Sequence, residues 1–280
     1  MTHRCDNIAP GPTGLDLPPV IGHRGAAAVA PENTLAGLRR AHGLGCRWVE
    51  FDVRLTADGE LVLLHDERLE RTTNGRGRAG SLRLSAIRRC DAGISFDASF
   101  AGEPVPTLAE AIALISELGL GANIELKAER GNAIATGLAA ADLIARIWPP
   151  HLPAPLISSF VADAVAAARD RAPTIARGLL LKTAARNRWR RAEALGCTTV
   201  NADYRRLRPA IVAEIREAGY AVLAYTVNDA ARARELFEWG VASVFSDVPH
   251  LILAALAAGP SPVDTALQRL PRSLQREVLL

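Results

Sequence analysis

Lysine is almost missing from this 280-residue chain: Lys127 and Lys182 are the two among 33 basic residues, which leaves 31 arginines. A lysine at a chemically loaded position is therefore an exception to the chain's own habit. The basic residues are scattered without runs, and 30 acidic residues bring the formal net charge to +3. That pattern argues against the concentrated basic face of a nucleic-acid binder. Cysteine is scarce too. Cys5, Cys46, Cys90 and Cys197 lie far apart with no CxxC pair, which argues against a zinc framework or disulfide scaffold and fits a reducing compartment. No apolar run reaches the roughly 18 residues of a membrane span. Residues 1–19 are rich in Pro, Gly and Asp and lack the apolar stretch of a secretory signal. The expectation is a soluble, cytoplasmic protein with a flexible leader over residues 1–19, and the sequence carries no sign of oligomeric state.

Apolar residues are plentiful, at 49% against 22% charged, enough to bury one sizeable core. The length suits a single α/β barrel, which needs about 250 residues. Short β-like runs at 20–23, 48–53, 122–127, 156–159, 176–181, 199–202, 221–227 and 243–246 alternate with longer helical stretches. Such alternation builds parallel sheets through right-handed crossovers. The predicted fold class is α/β, a TIM-type (β/α)₈ barrel over residues 20–258. Its first helix opens with Asn33 or Thr34 as cap and sets Leu35, Leu38 and His42 on one face. The alternation breaks between residues 61 and 107. An extra strand at 61–64 precedes a polar stretch holding Arg71, Asn74, Gly75, Gly77 and Gly80, read as a capping insertion after strand 2 over about residues 66–106. Residues 259–280, interrupted by Pro271, are expected to form a surface tail.

In a barrel of this kind the C-terminal strand ends carry the active site. Four are loaded with polar residues. The first ends in His23 and Arg24, followed by Glu32, Asn33 and Thr34; the second in Glu50 and Asp52; the extra strand in His65 and Asp66; the next in Glu125 and Lys127. Strand side chains alternate, so Glu50 and Asp52 share one side, as do Glu125 and Lys127. If that side is the interior, three carboxylates converge and call for a hard divalent cation, Mg²⁺ or Ca²⁺. If it is the exterior, they pair with arginines. His23 and His65 are candidates for proton transfer because imidazole titrates near neutrality. Arg24 and Lys127 beside a metal make sense with an anionic substrate, phosphate above all, or else they neutralise nearby carboxylates.

These residues sit in motifs. GHRG occupies residues 22–25, PENT 31–34, EFDV 50–53, TADGELVLLHDERLERTTNGRG 56–77, GEPVPTLAEA 102–111 and NIELK 123–127, with weaker echoes in SSF at 158–160, YTVN at 225–228 and SDVP at 246–249. The ordered set, from about residue 20 to 251, resembles the glycerophosphodiester phosphodiesterases, and most closely their cytosolic bacterial members. The resemblance implies metal-dependent hydrolysis of a small-molecule glycerophosphodiester to glycerol 3-phosphate and an alcohol. It implies His23 and His65 as the acid and base, Glu50, Asp52 and Glu125 as metal ligands, and Arg24 and Lys127 as phosphate contacts. It places Glu32 and Asn33 in a supporting loop, with Asn33 touching substrate. Two positions where the family often carries tryptophan hold Ser95 and Tyr225, so Phe96, Phe100 and Tyr225 are the expected pocket wall for glycerol. The alternatives are a related barrel lipase, acting as a lysophospholipase D or sphingomyelinase D, and a noncatalytic phosphate-ligand binding protein.

Overall fold

The second strand, expected over 48–53, runs on to Leu55 as WVEFDVRL, with Glu50, Asp52 and Arg54 at alternate positions, and is buried along almost its whole length. Its two sides face different partners. Val49, Phe51 and Val53 pack outward in one cluster with Leu38, Ile112 and Ile115 from helices, whereas Trp48 joins Ile21, Leu156, Leu223 and Phe245 inside the sheet. Glu50 and Asp52 share the parity of Trp48 and so point inward. The apolar requirement of the helix layer is met by one parity, which frees the other for chemistry.

A computed structural model describes residues 14–129, 131–183 and 188–259. Nine strands run in order: β1 (Val20–Gly22), β2 (Trp48–Leu55), β3 (Leu61–Leu63), β4 (Gly121–Leu126), β5 (Leu156–Ser159), β6 (Ala176–Leu181), β7 (Thr199–Asp203), β8 (Ala221–Tyr225) and β9 (Ser243–Ser246). Eight of them are parallel, in the order β1-β9-β8-β7-β6-β5-β4-β2, and a β1–β2 pairing closes the circle. Helices α1 (Leu35–Gly43), α3 (Leu108–Leu118), α4 (Ala133–Ile147), α5 (Ala162–Arg171), α6 (Arg191–Ala194), α7 (Pro209–Glu217), α8 (Ala230–Glu238) and α9 (Pro249–Ala257) follow the strands. The predicted (β/α)₈ barrel is the observed one. Among the described residues no helix is long and apolar enough to cross a membrane.

Thr34 caps α1, its Oγ1 accepting from Gly37 N at 3.0 Å. The face that α1 buries is Gly37, Leu38 and Ala41, with Leu35 half-buried; His42, expected on that face, is exposed because it lies one residue past Ala41. β3 pairs antiparallel with the end of β2, Arg54 opposite Val62. Beyond it the chain, including the short helix α2 (Leu84–Ile87), folds around its own small core of Val62, Leu64, Leu69, Ala79, Ile87, Ala92 and Val105. At the opposite end of the barrel, Leu15 is buried to 5% exposure against Ile21, Trp48, Leu156, Ala221, Leu223 and Phe245. The expected free leader is thus corrected for its last residues, whose apolar side chains close the barrel floor. Residues 1–13 and 260–280, on which the rest of the leader and the tail expectation fall, lie outside the described residues.

Candidate active site

β1 ends in a turn whose geometry is unusual for its residues. Arg24 has φ +49° and Asn33 φ +56°, in the left-handed region that non-glycine residues seldom enter. The surroundings hold them there. Arg24 N donates to Glu50 Oε2 at 2.9 Å, and Asn33 N donates to Arg24 O at 3.1 Å. Gly25, φ +89°, lies so close to α1 that a Cβ would stand 2.7 Å from the Gly37 carbonyl carbon. This tight turn aims Arg24 back across the barrel mouth, with Nη1 2.9 Å from Glu32 Oε1 and Nε 3.3 Å from Asp52 Oδ2. Residues kept in such sparsely populated backbone regions persist only where the surroundings over-determine them, and they cluster at active sites.

Glu50, Asp52 and Glu125 converge, each offering a carboxylate oxygen within 4.8 Å of the others, and all three are buried. The register explains why. Asp52 stands beside Glu125 in the β2–β4 ladder, and Glu50 lies one inward step below on the same parity. Asn33 clamps Asp52 twice, Nδ2 donating to Oδ2 at 2.8 Å and Oδ1 accepting from the Asp52 N–H at 2.9 Å. Lys127 Nζ lies 3.1 Å from Asp52 Oδ1 and in direct contact with Glu125 Oε1.

The electrostatics of the three acids differ. Burial pushes Glu125 up to about 7, with Asp52 adding repulsion and Lys127 opposing it. Burial, together with Asp52 and Glu125, raises Glu50 well above the carboxylate range. Burial also pushes on Asp52, but Lys127 and Arg24 outweigh it and hold this acid down at about 2. Glu50 Oε1, Asp52 Oδ1 and Glu125 Oε1 accept no hydrogen bond, although Lys127 stands against the last two. Buried carboxylate oxygens left in this way are suited to a cation. The set is all-oxygen and can hold a hard metal ion.

Both histidines reach the same cavity of about 420 Å³. His23 Nδ1 is 2.6 Å from Asp247 Oδ1, and its Nε2 lies 3.8 Å from Glu50 Oε2. His65 Nδ1 is 2.6 Å from Asp66 Oδ1. A carboxylate at Nδ1 fixes the ring and leaves Nε2 to face the cavity. Arg54, 7% exposed, anchors this second loop from below, with Nη2 donating to the His65 carbonyl at 2.7 Å and Nη1 to the Lys127 carbonyl at 3.3 Å.

Of the residues singled out from sequence, His23, Arg24, Glu50, His65, Glu125, Lys127 and Tyr225 line the cavity. Asn33 does not; it is 3% exposed and spends its amide on Asp52, so the structure places it behind the site. Phe96 is not brought there either. It is 42% exposed on the insertion, stacked edge to face on Phe100 at 5.6 Å. The aromatic wall is instead Tyr225 with Phe160, whose ring lies 5.7 Å from Tyr225 and 5.6 Å from Lys127 Nζ. Asp247, Asp66, Arg71 and Arg54 were given no role from sequence. Asp66 and Arg71 lie within the motif at 56–77 and Asp247 within SDVP, and that placement was the available signal.

Barrel and site together define a class: a (β/α)₈ enzyme with a buried acidic centre, two carboxylate-tethered imidazoles and two cations at its mouth. Comparison narrows the class. Residues 23–251 match the glycerophosphoryl diester phosphodiesterase family. A curated glycerophosphodiester phosphodiesterase of Caldanaerobacter subterraneus is 33% identical over 241 residues, covering 86% of this chain and 98% of its own. A solved Oleispira antarctica phosphodiesterase, in complex with its product sn-glycerol-3-phosphate, is 40% identical with TM-score 0.83, covering 86% of this chain and 97% of that one. A glycerophosphodiester phosphodiesterase of Agrobacterium tumefaciens superposes with TM-score 0.71 at 30% identity over 85% of this chain and 100% of its own. The chain belongs to the glycerophosphoryl diester phosphodiesterase family and is an enzyme of that kind.

Proposed function

We propose that the protein hydrolyses water-soluble glycerophosphodiesters to glycerol 3-phosphate and an alcohol, using His23 and His65 as base and acid around a divalent cation held by Glu50, Asp52 and Glu125. The observation that carries this reading is the pair of imidazoles, each fixed at Nδ1 by a carboxylate, opening on the cavity that Glu50 and Glu125 line. A Mg²⁺ or Ca²⁺ ion held by those carboxylates would compensate the charge that gathers on the nonbridging phosphate oxygens. Lys127 and Arg24 add fixed positive charge on the same oxygens, binding the transition state more tightly than the ground state. His23, beside Glu50 and less exposed than His65, takes the proton of the attacking hydroxyl, which is either water or the substrate's own 2-hydroxyl; in the second case the alcohol leaves as a cyclic phosphate forms, which water then opens to glycerol 3-phosphate. His65, on the more open side next to the insertion, returns a proton to the leaving alkoxide. Phe160 and Tyr225 give the glycerol carbons an apolar wall. The cell compartment proposed is the cytoplasm, on the scattered cysteines, which fit a reducing environment.

The test is release of glycerol 3-phosphate from a panel of diesters in a coupled assay, with and without chelator. Turnover of glycerophosphocholine and glycerophosphoethanolamine should stop on chelation and return with Mg²⁺ or Ca²⁺. Full activity in a rigorously metal-free preparation would sink the metal reading, and faster turnover of lysophosphatidylcholine than of glycerophosphocholine would favour the lipase.

A further inference from the structure

The loop after β1 and the insertion meet beside the cavity through one side chain. Arg71 presents Nε to Asp66 Oδ2 at 2.6 Å and Nη2 to Asp66 Oδ1 at 3.1 Å. The same guanidinium gives Nη1 to Glu32 Oε2 and Nη2 to Glu32 Oε1, both at 2.8 Å. Each carboxylate is itself committed to the site. Asp66 Oδ1 holds His65 Nδ1 at 2.6 Å, and Glu32 Oε1 holds Arg24 Nη1 at 2.9 Å. Arg24 Nε in turn lies 3.3 Å from Asp52. An unbroken chain therefore runs from His65 through Asp66, Arg71, Glu32 and Arg24 to the acidic centre.

Arg71 is 47% exposed on its side chain, so solvent screens what its ion pairs add to folding, although a bidentate network adds more than a lone surface pair. Geometry accounts for the arrangement better. A carboxylate gripped by both oxygens in a planar fork cannot swing, whereas one held by a single bond can. Asp66 gripped in that fork offers His65 a fixed, ionised acceptor, its carboxyl kept well below the usual range by the Arg71 hydrogen bond. Proton transfer depends steeply on such alignment.

We propose that Arg71 is a positioning residue for phosphodiester cleavage: by forking onto Asp66 it sets the orientation of the His65 imidazole, and by forking onto Glu32 it locks that orientation to the phosphate-facing Arg24. The proposal rests on the reading of His65 as a proton-transfer residue. Lysine cannot replace arginine here, since one ammonium cannot form two planar forks.

A kinetic cycle tests it, with wild type, Arg71→Met, His65→Ala and the double variant assayed on glycerophosphocholine, and a thermal midpoint recorded for each. Arg71→Met should lower kcat by about 10- to 100-fold, the usual effect of removing a partner that orients a functional side chain, with KM changed by less than about twofold. Arg71→Lys should recover only part of the loss. In the His65→Ala background Arg71→Met should cost at least about fivefold less in kcat than it does in wild type, the remainder being its hold on Arg24 through Glu32, because coupled residues are not additive. An equal loss in both backgrounds, or a loss confined to KM, overturns the proposal. Should Arg71→Met fail to fold, Asp66→Asn measured in the same two backgrounds decides by the same criteria. Near-normal activity of His65→Ala would instead remove the histidine assignment beneath it, a different failure read from a different variant.

Discussion

A neutral imidazole whose one N–H is held at Nδ1 by a carboxylate has no proton on Nε2 to give to an alkoxide, and burial, against the pull of Asp52, holds His65 below the ordinary histidine value. As the acid, His65 must be protonated in the free enzyme that meets the substrate, so kcat/KM should fall as pH rises through its lowered pKa. The alkaline limb is therefore expected below the ordinary value of about 6.5. A nitrophenyl diester, whose leaving group needs no proton, should abolish that limb; a limb that persists there would assign it elsewhere. His23→Ala and His65→Ala should each cost about 10² to 10⁴ in rate on natural diesters, and only His65→Ala should recover much of its rate on the nitrophenyl substrate. Glu125→Gln keeps the shape while removing a ligand charge, so a metal titration should shift to much weaker binding. The carboxylates were legible because strand parity ties Glu50 to Asp52 and Glu125 to Lys127, and the histidines because they stand at strand ends within the GHRG and LLHDE segments. The roles of Asp247 and Arg71 were not, because His23 and Glu32, which give them those roles, lie 224 and 39 residues away and only the closed fold brings them together. Phe96 misled for the converse reason: its place within a motif said nothing about which way the insertion turns.

At the scale of the element, the strands were the most readable part, since each short β-branched or apolar run is punctuated by Gly, Pro or polar residues. α3 shows local chemistry setting a boundary. Thr107 Oγ1 accepts from Glu110 N at 3.2 Å, while Glu110 Oε2 accepts from Thr107 N at 2.8 Å. This reciprocal cap ends the insertion and restarts the barrel, and Arg88 ties the insertion to the same Glu110 at 2.8 Å. Thr107→Ala should cost about 1 kcal/mol, the typical worth of such a cap, read as a lower midpoint in urea with an unchanged slope. Activity should fall little, because no residue of α3 lines the cavity. The insertion's own small core was not legible, since its apolar residues are spaced irregularly among glycines and arginines.

For the whole molecule, the acidic centre couples stability to pH and to metal. Glu125 titrates at about 7 in the folded protein, up from its ordinary 4.5, mainly through burial. A raised carboxyl contributes stability that is present below its unfolded pKa and lost as pH rises through the folded one. Glu50 shifts in the same direction, and Asp52, held at about 2, is ionised throughout. The metal-free protein should therefore lose thermal stability between about pH 5 and pH 8, while the rise in Tm on adding divalent metal should grow over the same interval. A metal-induced rise that is flat or shrinks with pH would contradict this account. At the floor, Leu15→Ala should cost about 2 to 5 kcal/mol in urea unfolding, as for other buried leucines; a loss under about 0.5 kcal/mol would show that the segment before β1 packs only loosely.

That sealed floor also governs traffic. With Leu15, Trp48, Leu156, Leu223 and Phe245 filling the lower barrel, whatever enters the cavity must leave by the door it came through. Diester and glycerol 3-phosphate then queue for the same threshold, and an accumulating product should act on the rate as a competitor of the substrate, holding back its own formation.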